Sequence, residues 1–247
     1  MTHREAPASR IDDSQHLSAG ICDVDGVLLA SPHERAWREA LHGIAKETRF
    51  TTAIYQSQVA GKPRLSGALA ALRALRVPNA DQQAAAYAEC KQRHLEALID
   101  AGAVTAFPDA LRFVKAVTAL GWPIAVASSS KNANDMLRRI RLDDGRSLFD
   151  AFSANVCGRD LRHGKPSPDI FLLAAAELPA APVHCLVVED SPAGIEAARA
   201  CGMVALGVAR LGDAALLWAA GAHVVVTSLD EVAINELALW RLCRRLP

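Results

Sequence analysis

The sequence lacks an excess of charge of either sign, since its 247 residues hold 27 Lys and Arg against 27 Asp and Glu and its formal net charge is zero. Nucleic acids and anionic lipid surfaces attract proteins through an excess of basic residues, which this chain does not have. Long apolar runs are missing too, because Gly, Pro or charged residues interrupt each one well short of a membrane span. We therefore expect no nucleic-acid partner and no membrane partner.

Paired cysteines at metal-binding spacing are also missing. The six cysteines are scattered without a CxxC motif, which favours buried free thiols in a reducing compartment. Residues 1–17 are polar and contain neither the basic start nor the apolar segment of a secretory signal, so we interpret them as a leader outside the fold. These absences predict a cytoplasmic globular protein, and we expect it to be a monomer.

One short stretch, ICDVDGVLL at positions 21–29, carries the most specific signal. An apolar run, predicted to be a buried strand over Ala19–Val24, leads into Asp23, Asp25 and Gly26. Residues i and i+2 of a strand point to the same side, so both carboxylates can face one point before the glycine turns the chain. Such a pair shares a cation or a proton, and it can supply a nucleophile or metal ligand and a general acid/base. The alternatives are an acidic loop and a calcium loop, although the apolar residues that follow disfavour calcium.

The rest of the chain divides into two kinds of sequence. The segments 31–46 and 68–101 are rich in Ala, Leu, Glu and Arg at helical spacing, and no strand pattern lies between them. We interpret 32–102 as a small all-helical cap domain inserted after strand one, into a core domain formed by 18–31 and 103–247. The core alternates apolar strands with helices, which predicts an α/β fold with a Rossmann-like parallel sheet covered on both faces.

Among the predicted core elements, the strand over Phe149–Val156 has a weaker pattern, and a closing helix is predicted over Glu231–Arg245. Ser191 and Pro192 are well suited to the N-cap and the first position of a helix. The remaining predicted strands are 123–127, 184–188, 203–208 and 223–226, and the remaining helices are 109–120, 133–140 and 169–178.

Polar side chains follow several of the predicted strands, namely Ser128, Lys165, Glu189 and Asp190. The carboxyl ends of parallel strands meet at one edge of the sheet, where ligands bind, so these groups should converge with the first two aspartates. Carboxylates from two strand ends suit Mg²⁺, and a lysine and a hydroxyl beside that ion suit a phosphoryl group. Each residue alone has a plainer alternative: a loop hydroxyl for Ser128, a solvated charge for Lys165, and a helix N-terminus for Asp190.

Four motifs in chain order make the sequence resemble the haloacid dehalogenase superfamily. They are DVDGV at 23–27, ASSS at 127–130, GKPSPD at 164–169 and VEDSPAG at 188–194. The resemblance spans about 19–210, and a helical insertion after the first motif is similar to that superfamily's small mobile cap. It implies phosphoryl transfer with Mg²⁺ as cofactor, through an aspartyl-phosphate.

The resemblance also implies a role for each motif residue. Asp23 would be the nucleophile and Asp25 the general acid/base, while Ser128 and Lys165 would hold the phosphoryl group. An aspartate at position 25 favours phosphate chemistry over dehalogenation or phosphonate cleavage. The implied ligands of Mg²⁺ are Asp23, the main-chain carbonyl of Asp25 and Asp190. Glu189 would be either a further ligand or a residue that supports the ligands.

Within the superfamily the sequence is similar to the beta-phosphoglucomutases. The segments that carry this similarity are HERAW at 33–37, GKPR at 61–64 and SKN at 130–132. The similarity implies that Arg64 on the cap grips the second phosphate of the substrate together with Ser130 and Asn132 of the core. It also implies that His33 and Lys91 face the active site, and the alternatives are a helix cap for His33 and a solvated charge for Lys91.

The predicted partner is a small sugar phosphate, and the predicted reaction is the isomerisation of a sugar 1-phosphate to the 6-phosphate. The segment between Gly26 and His33 is shorter than in the mutase pattern and carries Leu29-Ala30-Ser31 in place of polar hinge residues. A phosphatase acting on small phosphomonoesters is therefore the alternative. A catalytically silent binding protein is disfavoured, because each motif position holds the residue that catalysis needs.

Overall fold

The computed structural model describes residues 16–239 and 241–245. Its strands are β1 (Ala19–Cys22), β2 (Leu29–Ala30), β3 (Thr105–Ala106), β4 (Ile124–Val126), β5 (Ala154–Asn155), β6 (Cys185–Glu189), β7 (Val204–Val208) and β8 (Val224–Val226). Its helices are α1 (His33–Glu39), α2 (Thr52–Ile54), α3 (Arg64–Ala74), α4 (Ala80–Asp100), α5 (Pro108–Ala119), α6 (Ala133–Arg139), α7 (Asp169–Glu177), α8 (Pro192–Ala200), α9 (Ala214–Ala219) and α10 (Ile234–Leu237).

The core of the protein is a parallel sheet in the order β5-β4-β1-β6-β7-β8. β1 is fully buried and lies inside the sheet, where it pairs with β4 on one side and with β6 on the other. Successive residues alternate between faces, so Ile21 and Ala125 join one apolar cluster while Cys22 and Val126 join the other. The predicted α/β fold with a covered parallel sheet is confirmed. The carboxyl end of β1 lies at the centre of the edge where the strand ends meet.

The two connections between core and cap run side by side. β2 pairs antiparallel with β3 through Leu29 with Ala106 and Ala30 with Thr105. One residue further along, the Phe107 N–H donates to the Leu28 carbonyl at 3.0 Å. The sequence pattern did not predict this small sheet, because strands of two residues show no periodicity. The sheet ties the chain leaving the core to the chain returning to it.

The inserted helices pack around an apolar cluster of their own. Its centre is Tyr87, whose ring lies 5.2 Å from the ring of Trp37 and whose hydroxyl donates to the Trp37 carbonyl at 2.8 Å. The helical pattern over 68–101 is divided into α3 and α4 near Pro78, which cannot continue a helix, and Asn79, whose φ is 52°. The domain boundaries themselves stay a prediction.

The first predicted cap helix, over 31–46, is wrong beyond its first half. α1 ends at Glu39, and the chain then passes through turns that include Gly43 with a φ of 77°. The left-handed conformation of Gly43 then keeps the chain from continuing as the predicted helix to position 46. Two short segments follow, a 3-10 helix at Glu47–Arg49 and a π-helical turn at Tyr55–Val59 that continues α2.

The strand predicted over Phe149–Val156 is wrong for its first half. Only Ala154–Asn155 is extended, as the edge strand β5, and a 3-10 helix occupies Leu148–Ala151. Ser147 and Asp150 cap that helix reciprocally, since the Asp150 carboxylate accepts the backbone N–H of Ser147 at 3.1 Å. The satisfied cap competes with strand pairing over the same residues.

The closing helix predicted over Glu231–Arg245 is also wrong for most of its described length. Only Ile234–Leu237 is α-helical, and the chain then folds back so that the Ala233 N–H donates to the Cys243 carbonyl at 2.9 Å. The Glu231 carboxylate accepts the backbone N–H groups of Thr227 and Ser228, both at 3.0 Å. Glu231 therefore closes a turn instead of extending a helix.

The predicted leader at 1–17 lies outside the described residues up to position 15. Leu17 is fully buried, and the Ser18 N–H donates to the His184 carbonyl at 2.9 Å, so the chain has already joined the core there. Within residues 16–239 and 241–245, no helix combines the length and the apolar composition that spanning a membrane requires.

Candidate active site

Asp23 lies one residue beyond β1, in the lining of a cavity between the core and the cap. Its side chain is almost completely buried, and its Oδ1 accepts a hydrogen bond from Lys165 Nζ at 2.5 Å. Lys165 comes from the loop before α7 and also donates to the carboxylate of Glu189. The ammonium group holds one oxygen of Asp23, which leaves the other oxygen for a substrate or a metal ion.

Glu189, the last residue of β6, is fully buried beside this pair. Its Oε1 accepts from Lys165, and its Oε2 accepts from the backbone N–H and the hydroxyl of Ser191 at 3.1 and 2.9 Å. A Cβ on Gly194 would overlap this carboxylate, so only glycine fits at that position of α8. Glu189 thus holds Lys165 and the start of α8 in place, and a direct bond from Glu189 to a metal ion stays a prediction.

Asp190 follows Glu189 and lines the cavity. The turn after Asp25 passes so near that a Cβ on Gly26 would overlap the Asp190 carboxylate, and the Gly26 φ is 81°. Glycine is therefore required there both for the conformation and for the close approach. The structure shows no hydrogen bond to the Asp190 carboxylate from any described residue. Asp190 is therefore available to a ligand.

Burial and mutual repulsion control the ionisation of these acids. Burial raises the pKa of Asp23 to about 8; the charges of Glu189 and Asp25 also raise it, and Lys165 opposes them. Burial, with Glu189 and Asp23 next, holds the pKa of Asp190 well above its usual range. Burial lowers the pKa of Lys165, but Asp23 and Glu189 outweigh it and the net shift is upward. A site with several acids around one ammonium group favours a further cation.

Asp25 lies between the core loop and the cap. Ser128 Oγ lies 3.5 Å from Asp25 Oδ2, and it accepts the backbone N–H of Ser130 at 3.1 Å. The other carboxylate oxygen, Oδ1, is buried without a hydrogen bond among the described residues, and it lies 3.5 Å from His33 Nε2. The structure therefore brings the predicted residues Ser128 and His33 to opposite oxygens of Asp25.

His33 and Lys91 form a buried pair in the cap, with Lys91 Nζ 3.1 Å from His33 Nδ1. Burial lowers the pKa of His33 to about 4, and burial with Arg64 lowers that of Lys91 to about 8 while Asp25 opposes both shifts. A neutral imidazole that accepts from Lys91 at Nδ1 carries its proton on Nε2, which faces Asp25. The short segment before His33 therefore does not keep this residue from reaching Asp25.

The cap loop that contains Gly61 and Pro63 lies directly on the core. The Ser129 hydroxyl donates to the Gly61 carbonyl at 3.2 Å. A Cβ on Gly61 would overlap Ser191, and one on Gly164 would overlap Pro63, so glycine permits both close contacts. The cap is closed in this structure. The cavity between cap and core has a volume of about 310 Å³, which is the size of a small-molecule site.

The residues predicted to bind a distal phosphate are brought together in part. Arg64 and Ser130 line the cavity, and Arg64 also pairs with Glu89 at 3.1 Å. Asn132 is not among the described residues that line it, and its Oδ1 accepts from Gln92 of α4 at 3.2 Å. Asn132 therefore contacts the closed cap through Gln92, and its contact with a phosphate stays a prediction.

Sequence reasoning missed several residues that line the cavity, namely Trp37, Tyr55, Lys62, Gln92 and Arg159. Tyr55 begins the π-helical turn, an irregularity that is frequent at functional sites. Burial, with Asp190 next, holds the pKa of Tyr55 well above its usual range. Tyr55 lines the same cavity as Asp190 and Asp25.

The chain matches a family model and several known proteins over most of its length. The family model of the haloacid dehalogenase-like hydrolases matches residues 18–202. The chain is 33% identical to the beta-phosphoglucomutase of Mycobacterium tuberculosis, over 88% of this chain and 92% of that protein. It is 30% identical to the phosphorylated carbohydrates phosphatase of Thermotoga maritima, over 90% of this chain and 98% of that one. The solved beta-phosphoglucomutase of Pyrococcus sp. strain ST 04 superposes with a TM-score of 0.70 at 30% identity, covering 90% of this chain and 97% of that one.

The chain belongs to the haloacid dehalogenase-like hydrolases. The resemblance seen in its four motifs is confirmed, and so is the prediction that it is an enzyme that transfers phosphoryl groups. The cap loop and the motif residues of this hydrolase line the same cavity.

The acidic centre of this hydrolase fits Mg²⁺. Asp23 and Asp190 have pKa values raised by burial and by their acidic neighbours, so a cation stabilises their ionised forms. Mg²⁺ prefers hard oxygen ligands and keeps several waters, so two carboxylates and a main-chain carbonyl are a suitable set of protein ligands. Asp23, Asp190 and the Asp25 carbonyl would hold the ion, with water in the other positions. A bound Mg²⁺ would neutralise charge on the phosphoryl oxygens.

Removing the metal is expected to remove the activity. In excess EDTA the turnover of a sugar phosphate should fall about 100-fold or more, because several kcal/mol of charge stabilisation are lost. Added Mg²⁺ should restore the rate. Ca²⁺ should not, since it accepts longer bonds and higher coordination numbers that misplace the reacting groups. Full activity in excess EDTA would contradict a metal site at Asp23 and Asp190.

Proposed function

We propose that this hydrolase is a sugar-phosphate mutase that converts beta-glucose 1-phosphate to glucose 6-phosphate through a bisphosphate. One observation carries the proposal: the cavity has two sets of charged groups. Asp23, Asp25 and Asp190 form the acidic centre, and a second set is cationic. The members of the cationic set that line the same cavity are Lys62, Arg64, Lys131 and Arg159.

The cationic set is independent of the acidic centre. Arg64 pairs with Glu89 at 3.1 Å, Lys131 with Asp160 at 2.8 Å and Arg159 with Glu177 at 3.0 Å, all on partly exposed side chains. A phosphate on the non-reacting end of a substrate replaces such solvated partners easily, because exposed ion pairs contribute little. Arg64 offers a planar fork that fits two phosphate oxygens. A bisphosphate is thus matched at both ends, which a mutase needs.

The residues of the acidic centre can carry out both phosphoryl transfers. Asp23 attacks the phosphoryl group in line and becomes an aspartyl-phosphate, while Lys165 and Ser128 hold the phosphoryl oxygens. Asp25 protonates the sugar oxygen that leaves and later takes the proton from the sugar hydroxyl that attacks the aspartyl-phosphate. The His33 Nε2–H faces Asp25 Oδ1 at 3.5 Å and can help to orient that carboxylate. The bisphosphate forms when the hydroxyl of a sugar 1-phosphate attacks the aspartyl-phosphate. It must then turn so that its other phosphate meets Asp23, which takes that phosphoryl group and releases the 6-phosphate.

Closure of the cap supports transfer to a sugar over transfer to water. The contacts of Ser129 with Gly61 and of Gln92 with Asn132 join cap to core at 3.2 Å each. A closed site excludes water from the aspartyl-phosphate, which a mutase requires and a phosphatase must avoid.

A phosphatase of small sugar phosphates is the second candidate, and a specific observation favours it. The connection between Gly26 and His33 is short and contains β2, which pairs with β3. This connection therefore has few polar residues that could act as a hinge for the cap. The Thermotoga maritima relative, 30% identical over 90% of this chain, is a phosphorylated carbohydrates phosphatase. Efficient attack of water on the aspartyl-phosphate would distinguish this activity.

The test of the proposal is a product assay. The protein is incubated with beta-glucose 1-phosphate, Mg²⁺ and a trace of glucose 1,6-bisphosphate, and glucose 6-phosphate is separated from free phosphate. The mutase proposal expects glucose 6-phosphate in large excess and dependence on the bisphosphate. Free phosphate as the main product would support the phosphatase instead.

Asp25→Asn is expected to slow both transfers without preventing all attack by Asp23. Loss of the general acid/base should lower kcat by about 10² to 10⁴. A good leaving group needs no protonation, so acetyl phosphate should still label the variant, and the label should then persist because its removal lacks a base. Mass spectrometry of the intact protein measures this label. If the Asp25→Asn protein carried no label and kept the parental kcat, Asp25 would not be the general acid/base.

A further inference from the structure

Arg210, two residues after β7, lies beneath both linkers of the cap. Its Nε donates to the Gly26 carbonyl at 3.0 Å and its Nη2 to the Val27 carbonyl at 3.1 Å. These carbonyls belong to the turn that directly follows Asp25. The guanidinium also stacks on the ring of Phe107, 3.8 Å from its centroid, in the linker that returns from the cap. One side chain therefore contacts the outgoing and the returning linker.

The guanidinium is itself fixed by a buried carboxylate. Arg210 Nη1 donates to Asp109 Oδ2 at 2.9 Å, and the two side chains are 14% and 8% exposed. The same oxygen accepts the Ser228 hydroxyl at 2.9 Å and the Leu229 N–H at 2.7 Å. Burial raises the pKa of Asp109, but its bonds to Arg210, Leu229 and Ser228 outweigh burial and the net shift is downward. An ionised Asp109 at the start of α5 thus anchors Arg210.

The turn held by Arg210 has little freedom on its other sides. The Gly26 N–H donates to the Leu29 carbonyl at 2.9 Å, and Gly26 packs against the Asp190 carboxylate. A shift of the turn would move Asp25 relative to Ser128 and His33, which lie 3.5 Å from its two oxygens. A misplacement of about 1 Å at such a site can lower a rate about 100-fold.

We propose that Arg210 is a positioning residue: it fixes the turn after Asp25 and both cap linkers, and so sets Asp25 against the closed cap. This inference rests on the phosphoryl transfer described above and adds to it a residue outside the four motifs. The guanidinium is needed because three donors must reach two carbonyls and one carboxylate at once.

The test compares Arg210→Gln and Arg210→Lys with Arg112→Gln. Arg112 is the matched control, because it bonds Asp230 at 2.9 and 2.5 Å on an exposed side chain and has no hydrogen bond to either linker among the described residues. Arg210→Gln should lower kcat for the sugar phosphate by about 10- to 100-fold, with KM changed less than about threefold. Arg210→Lys should recover part of this loss, and Arg112→Gln should behave as the parent.

Hydrogen–deuterium exchange supplies a readout that needs no substrate. Peptides that cover 24–31 and 104–108 should exchange faster in Arg210→Gln than in Arg112→Gln, while peptides of α4 and β6 should be unchanged. If Arg210→Gln does not fold, Arg210→Lys is compared with the control in the same way. A parental kcat in the Arg210 variants, or slower turnover with unchanged exchange in both linkers, would overturn the proposal. Failure of the parent to isomerise a sugar phosphate would refute the mutase activity and leave the exchange result interpretable.

Discussion

Asp23→Asn is expected to abolish turnover, with kcat lowered by about 10⁴-fold or more, as for other enzymes that lose their nucleophile. An amide cannot attack phosphorus, although it has the size of the carboxylate and can still accept from Lys165. Lys165 keeps its second bond, to Glu189, so its ammonium group is not left unpaired. The substitution therefore removes the chemistry and leaves the architecture.

The measurement for Asp23→Asn is a rapid-quench experiment with phosphate-labelled substrate. The parent should carry label on the protein, and the variant should carry none. The control is Asp100→Asn, because Asp100 is 73% exposed in an ion pair with Arg139 and is not among the described residues that line the cavity. This control should label and turn over like the parent. Label from the substrate on the Asp23→Asn protein would disprove the assignment of the nucleophile.

Arg64→Ala should have the second largest effect, because it removes the cap group that best fits a distal phosphate. We expect a loss of about 2–4 kcal/mol in transition-state stabilisation, the range for a charged contact that becomes desolvated when the cap closes on substrate. Part of that loss should appear as a shift of the product from glucose 6-phosphate towards free phosphate, since a loosely held cap admits water. The kinetics and the product ratio are measured in one assay.

The matched control for Arg64 lies on the same helix. Arg73, in the last turn of α3, is 61% exposed and pairs with Asp81 at 2.7 Å. Arg73→Ala should leave both rate and product ratio unchanged. Arg64→Lys keeps the charge but not the planar fork, so it should lie between the parent and the alanine variant. If Arg64→Ala behaved like Arg73→Ala, no second phosphate site would exist at Arg64, and the phosphatase would be the better hypothesis.

The sequence predicted the centre of this site well because its residues lie directly after strands. Buried parallel strands have clear apolar patterns, and their carboxyl ends must share one edge of the sheet, so Asp23, Ser128 and Asp190 could be placed together without a structure. The spacing of Ser191 and Pro192 likewise predicted the start of α8, and the Ser191 side chain accepts the Gly194 N–H at 3.1 Å.

Features that depend on contacts distant in sequence could not be predicted. Glu189 was expected to be a metal ligand or a support for the ligands, but its bond to Lys165, 24 residues away, is a pairing that no local pattern contains. The contact of Asn132 with Gln92 joins residues 40 apart, and that of Arg210 with Gly26 joins residues 184 apart. The irregular end of the chain was misread as a helix because composition alone does not show that it folds back on itself.

The central claim is that the aspartyl-phosphate on Asp23 returns its phosphoryl group to a sugar, and its fate can be followed directly. The parent enzyme is labelled with phosphate-labelled glucose 1,6-bisphosphate in the presence of Mg²⁺, separated from free ligand, and mixed with unlabelled glucose 6-phosphate. The account predicts that the label moves from Asp23 into glucose 1,6-bisphosphate faster than it appears as inorganic phosphate. Release of the label as inorganic phosphate, at a rate that glucose 6-phosphate does not change, would contradict it.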